Sequence, residues 1–240
     1  MIHIFKSIDE LANSLSGKVI NLARDSFRAC SPLNIALSGG STPAALFNKM
    51  VSDIEDPGIW EQVNFFWVDE RCVPPEHTES NFRMTEETFF RPLSVSNTHV
   101  YRMMGEEEPH AEANRYEALL RSQLPAREGL PCFDLILLGM GTDGHTASIF
   151  PDQMQLMHSG RISEVAIHPE TGQNRITLTG PVINNADMVC FMITGENKAA
   201  VLASILDGEK GSEKFPAAHI NPIHGEIEWY LDEEAAQLLR

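Results

Sequence analysis

The segment FDLILL at 133–138 runs directly into GMGTDGHTASIFP at 139–151, and this junction decides the fold class. A near-continuous apolar run asks for burial on both faces, which a strand obtains in the parallel sheet of a layered α/β domain. Outward from it, further short runs read as strands: LNIAL at 33–37, VNFFWV at 63–68, HVYRM at 99–103, EVAIH at 164–168, RITLT at 175–179 and MVCFMIT at 188–194. Between many of them, helical patterns cover 7–29, 43–53, 80–90, 109–123, 197–206 and 232–239. The first is opened by Ser7 with Glu10 three residues on, a capping-box pattern. Strand and helix alternate, so the chain is expected to be α/β, a Rossmann-like three-layer domain with a mostly parallel sheet. No repeat, low-complexity tract or long linker interrupts it, and residues 1–240 are expected to form one domain.

Composition limits the function. Hydrophobic residues make up 42% and charged residues 22% of the 240, enough for a sizeable core and against disordered or fibrous classes. Eighteen basic residues face 34 acidic ones, a formal charge of −16, so neither nucleic acid nor an anionic membrane is an expected partner. A small anion remains admissible, because a few basic side chains and backbone amides can build a positive pocket inside an acidic protein. Cys30, Cys72, Cys132 and Cys190 form no C-x-x-C pair, and MIHIFKSIDELANSL is not a secretory signal. No stretch approaches the roughly 20 apolar residues of a spanning helix. A reduced, cytoplasmic setting is expected.

In open α/β sheets ligands collect beyond the carboxyl ends of the strands, which singles out four loops. Ser38-Gly39-Gly40-Ser41-Thr42-Pro43 follows LNIAL and opens a helix. Its glycines let backbone amides approach an anion, Ser41 and Thr42 add hydroxyls, and Pro43 suits a first helical turn. The lysine and spacing of a nucleotide-binding P-loop are absent. Asp69-Glu70-Arg71 ends the VNFFWV strand, where Arg71 offers a planar fork for an oxyanion or for its acidic neighbours, and Ser80-Asn81 downstream adds donors at a helix start. Gly195-Glu196-Asn197-Lys198 places a lysine in a first helical turn, unfavourable to the helix dipole unless it reaches an anion. Arg175 is a weaker basic candidate.

The loop 139–146 formally contains G-x-G-x-x-G, but Pro151 cuts any long helix and Asp143 would oppose a pyrophosphate, so a dinucleotide site is rejected. What Asp143-Gly144-His145 does offer is a carboxylate and an imidazole on one glycine-rich turn, suited to general-base work with the acid fixing the tautomer. There is no G-x-S-x-G elbow, no H-E-x-x-H and no zinc-like Cys/His spacing, so a metal site is not expected. The remaining histidines, His168 among them, show no ligand spacing.

SGGSTP, VDERCVP with Ser80-Asn81, FDLILLGMGTDGHTASIFP and G-x-x-K, in this order and over most of the chain, resemble the 6-phosphogluconolactonases. SGGSTP is shared with the related glucosamine-6-phosphate deaminases. Those usually carry a tyrosine where this chain has Arg71 and a glutamate where it has Phe150, so both positions favour the lactonases. The resemblance implies hydrolysis of 6-phosphoglucono-δ-lactone to 6-phosphogluconate in the oxidative pentose phosphate pathway, without metal or cofactor. It implies His145 as general base, with Asp143 positioning it. The substrate-binding set would be Gly39, Gly40, Ser41, Thr42, Asp69, Arg71, Asn81 and Lys198. Loop amides around Gly141 to Gly144 are candidate oxyanion donors. A deaminase or isomerase, and a non-catalytic sugar-phosphate sensor, stay open as alternatives.

Overall fold

A computed structural model describes all 240 residues. In chain order it contains β1 (Ile2–Phe5), α1 (Ile8–Ala29), β2 (Leu33–Leu37), α2 (Ser41–Asp53), β3 (Val63–Trp67), β4 (Asp69–Arg71), α3 (Asn81–Thr85), α4 (Arg91–Leu93) and α5 (Pro109–Gln123). A short hairpin follows, β5 (Ala126–Arg127) and β6 (Leu130–Pro131), then β7 (Leu135–Leu138), β8 (Ser163–Ile167), β9 (Asn174–Leu178) and α6 (Gly180–Ile183). The chain continues with β10 (Met188–Ile193), α7 (Ala199–Leu206), β11 (Glu226–Asp232) and α8 (Glu233–Ala236).

Six strands form the central sheet in the order β1-β11-β10-β7-β2-β3, and every neighbouring pair is parallel. The burial of β7 on both faces is visible residue by residue. Leu135 and Leu137 join an apolar cluster with Leu15 and Val19 of α1 and Phe47 of α2. Ile136 and Leu138 join the cluster on the other face, with Tyr116 and Leu120 of α5 and Leu202 of α7. Helices on both sides of one parallel sheet are the three layers that the apolar runs implied.

After β2 the chain steps outward to β3, and later returns to lay β7 on the other side of β2. The loops after β2 and β7 therefore diverge, and a crevice opens between them where the strand order reverses.

A second, antiparallel sheet, β4-β9-β8, covers this end of the crevice. Val68 hands the chain from one sheet to the other: its amide donates to Leu37 at 2.9 Å and its carbonyl accepts from Leu178 at 2.7 Å.

Several elements differ from the sequence expectation. EVAIH and RITLT are strands, but they pair with each other and with β4 rather than in the parallel sheet. HVYRM is extended without being a strand. A 3₁₀ turn at Asn97–His99 leaves only Val100 to bridge β3 at Phe65, with the Tyr101 amide donating to Phe65 at 2.8 Å. The helix expected over 80–90 is interrupted by a π-helical turn at Glu86–Phe90, and that over 232–239 shrinks to α8 because Asp232 ends β11 and caps the helix. Strands β1 and β11 were not expected. β1 is half-exposed on the sheet edge, and the first two residues of β11 are not buried, so neither shows a long apolar run.

Candidate active site

The loops after β2, β7 and β10, together with β4 and β9, frame an open cleft of about 190 Å³. Gly39, Gly40, Ser41, Thr42, Asp69, Arg71, Asn81, His145 and Lys198 all line it. Arg175 lines it as well.

On one wall α2 begins without a capping side chain. Gly40 holds the N-cap position at φ +111°, a left-handed conformation that favours glycine. The first turn of α2 therefore presents its amide end to the cleft, a ready anion site. Gly39 is required for a different reason: any Cβ there would collide with the Asn81 carboxamide. Asn81 is in turn fixed by donating from Nδ2 to the Asp69 carbonyl at 2.9 Å. The Thr42 hydroxyl is already engaged with that of Thr194 at 2.9 Å, so it supports the wall before it serves any ligand.

The opposite wall carries cations. Arg71 and Arg175 face each other across the antiparallel β4–β9 pair, and the Nε of each is buried without a hydrogen-bond partner. Burial, and after it the Arg71 charge, push the Arg175 pKa down from its ordinary value. Burial also lowers that of Lys198, against the opposing pull of Asp232. Two arginines held close under partial desolvation, with a partly desolvated lysine on the same cleft, are costly unless anions join them.

The acids beside Arg71 divide in function. Asp69 lines the cleft and accepts from the Ser148 hydroxyl at 2.6 Å. Glu70 does not reach the cleft. Only 2% exposed, it accepts from the amides of Arg71, Asn81 and Phe82, each at 2.8 Å, and from the Ser80 hydroxyl at 3.0 Å. It pins the start of α3 to the end of β4. Burial pushes its pKa up, with those hydrogen bonds opposing.

At the β7 loop, His145 Nδ1 lies 2.6 Å from Asp143 Oδ1, which also accepts the His145 backbone amide at 3.1 Å. Burial works against the Asp143 charge, but the hydrogen bonds from His145 outweigh it and hold the carboxyl below its ordinary range. An ionised carboxylate only accepts, so Nδ1 carries a proton, and in the neutral imidazole Nε2 then keeps the lone pair. Gly141 must be glycine, since a Cβ would strike the His145 ring. The amides of Gly141 and Gly144 are consumed inside the turn, bonding His145 O at 2.9 Å and Gly141 O at 3.1 Å. Those two amides are thus not free to hold an oxyanion, contrary to what glycine content suggested. Asp143 itself is not part of the cleft wall and meets it through His145.

The sequence reading underweighted Arg175. Nothing local marks it; its place on the cleft arises from the strand pairing that sets it opposite Arg71. No group of three or more His, Cys, Asp or Glu side chains gathers to hold a metal, and no helix is long and apolar enough to cross a membrane.

Residues 6–229 match the model of a family described as glucosamine-6-phosphate isomerases/6-phosphogluconolactonase. The chain is 40% identical over 200 residues to the 6-phosphogluconolactonase of Treponema pallidum, covering 83% of each. It is 40% identical over 209 residues to that of Haemophilus influenzae, covering 87% of this chain and 88% of the relative. The solved 6-phosphogluconolactonase of Trypanosoma brucei superposes with a TM-score of 0.87 at 30% identity, over 100% of this chain and 98% of the other.

Proposed function

This chain belongs to the family of glucosamine-6-phosphate isomerases and 6-phosphogluconolactonases, and from that premise we propose that it hydrolyses 6-phospho-D-glucono-1,5-lactone to 6-phospho-D-gluconate in the oxidative pentose phosphate pathway. One observation carries the reading: an Asp143–His145 pair and the cations Arg71, Arg175 and Lys198 converge on one cleft at the reversal of strand order. A doubly charged phosphate matches the cations and the uncapped start of α2, and its binding holds the lactone carbonyl near the imidazole.

His145 acts as general base through Nε2. It takes a proton from water as the water oxygen bonds to the lactone carbonyl carbon, and it returns that proton to the ring oxygen as the carbon–oxygen bond breaks. Asp143 keeps the ring in the productive tautomer and stabilises the transient imidazolium. The buried apolar ring of Phe150, 1% exposed beside His145, offers no acid for an aldose–ketose proton transfer, so amine release from glucosamine 6-phosphate is not expected.

The test is hydrolysis of freshly generated lactone with coupled oxidation of the product, measured against buffer because the lactone also opens spontaneously. The native chain is expected to accelerate it, and His145→Ala to lower kcat by about 10²–10⁴-fold with little change in binding. Arg71→Ala is expected mainly to raise KM. No acceleration over buffer by the native chain would remove the lactonase reading. Loss of binding in His145→Ala would overturn the division of roles.

A further inference from the structure

Phe150 lies where the two halves of the site meet. Its ring centroid is 4.8 Å from that of His145, the planes tilted by 50°. The Arg175 guanidinium carbon lies 5.8 Å from the same centroid, and the His168 ring packs against it edge-on at 5.2 Å. At 1% exposure the ring has almost no contact with solvent. Imidazole and guanidinium can therefore lie no further apart than the sum of those two distances, a span that one sugar phosphate bridges.

Resting on the lactonase reading above, we propose that Phe150 is a positioning residue: its ring seats the Arg175 guanidinium and the His145 imidazole at a fixed separation while leaving the donors and the lone pair of both free for substrate. The chemistry favours an aromatic ring here over any acid. Arg175 is squeezed by burial and by the facing charge of Arg71, and the charges of Asp69, Glu79 and Glu70 offset this only in part, so a further compensating neighbour in direct contact helps the cation. A carboxylate would compensate but would occupy the guanidinium donors and repel the incoming anion. The negative face of a benzene ring attracts the cation without taking a hydrogen bond. The buried, unpartnered Nε of Arg175 agrees with this arrangement, because that donor has no acceptor within the protein. His145 gains the same kind of support. The ring restrains it from the side, while Asp143 takes Nδ1 and nothing in the protein takes Nε2.

The experiment varies the electron density of the ring at nearly constant shape. Phe150 is replaced by mono-, tri- and pentafluorophenylalanine, and the affinity for 6-phosphogluconate and for inorganic phosphate is measured by calorimetry beside kcat and KM on the lactone. KM and both dissociation constants are expected to rise stepwise with fluorine number, about tenfold across the series, as expected for a cation–π contact in a desolvated site. The unfolding midpoint is expected to fall modestly in the same order, since the contact also exists in the free protein, and the rise in KM and in both dissociation constants for chains that remain folded at the assay temperature is what a merely structural role would not give. Phe150→Leu, which keeps apolar volume, is expected to lower kcat as well, because the imidazole loses its flat support. If the pentafluoro chain fails to fold, the mono- and trifluoro chains decide the matter. Dissociation constants that stay flat, or that change in an order unrelated to fluorine number, overturn the proposal. A flat series in a native chain that does accelerate lactone hydrolysis removes the role of Phe150 alone. Absence of acceleration in the native chain removes the lactonase reading, while the phosphate series still reports on the contact between ring and guanidinium.

Discussion

Arg175 owes its place in the cleft to a partner 104 positions earlier in sequence, Arg71, and to no signal of its own. The loops SGGSTP, DER and DGH were legible because each follows a strand and combines glycine or charge in a way that a bare turn does not need. Arg175 is the second residue of a strand in ordinary company, and only the antiparallel register turns it inward. Arg175→Ala is expected to raise KM about 10–100-fold with a smaller effect on kcat, the loss of a charge-assisted contact. Arg175→Lys should recover little of that, since an ammonium lacks the planar fork, and steady-state kinetics on the three chains checks both statements. Asp143→Asn is expected to lower kcat by up to about 10⁴-fold, because its amide can donate to Nδ1 and hold the wrong tautomer. The same carboxyl predicts a pH effect on stability. Its folded pKa lies below the unfolded value, so the pair stabilises fully above the unfolded carboxylate range and loses that contribution as pH falls through the lowered folded value. Denaturant titrations from neutral to acid pH should show this loss in the native chain and its absence in Asp143→Asn.

Among the elements, those with long, strongly patterned segments were readable: α1, α5 and the two-face-buried strands β2, β7 and β10. β1 and β11 escaped because an edge strand is only half buried and its neighbour begins polar. The separate antiparallel sheet escaped because apolar content reports burial and not direction of pairing. Two buried polar groups secure this region, Glu70 at the antiparallel sheet and Tyr116 at the end of β3. Glu70 accepts four hydrogen bonds, three at the start of α3 and one from the Arg71 amide, and a glutamine there must turn its amide toward at least one donor. Glu70→Gln is therefore expected to destabilise the fold by about 1–3 kcal/mol and to raise KM through displaced Asn81 and Arg71. Tyr116, in α5, accepts from the Trp67 amide at 2.9 Å and donates to the Trp67 carbonyl at 3.1 Å, closing the exit of β3. Tyr116→Phe should likewise cost about 1–3 kcal/mol in urea unfolding, with KM little changed because Tyr116 does not line the cleft.

The whole molecule carries −16 while its cleft is lined by three cations. The acids are spread over a surface wider than the screening length of about 8–10 Å at physiological salt, whereas in the proposed complex the cations meet the phosphate at contact distance. Moderate salt therefore removes repulsion of the substrate sooner than it weakens the seat. KM is expected to fall as ionic strength rises from about 0.01 to 0.1 M, and a steep rise in KM over that interval would show that the cleft cations dominate even the approach. The same six-stranded sheet has a further consequence, in time and not in space. β1 has one neighbour, β11, and Ile2 pairs with Trp229. Within this sheet β1 is made before its one neighbour and must wait, unpaired, until β11 has left the ribosome before it can dock. Nascent chains halted before residue 226 should keep β1 open to protease and to chaperones, whereas chains in which Glu226–Asp232 has emerged should close it, with the edge of the sheet recording that β11 has been made.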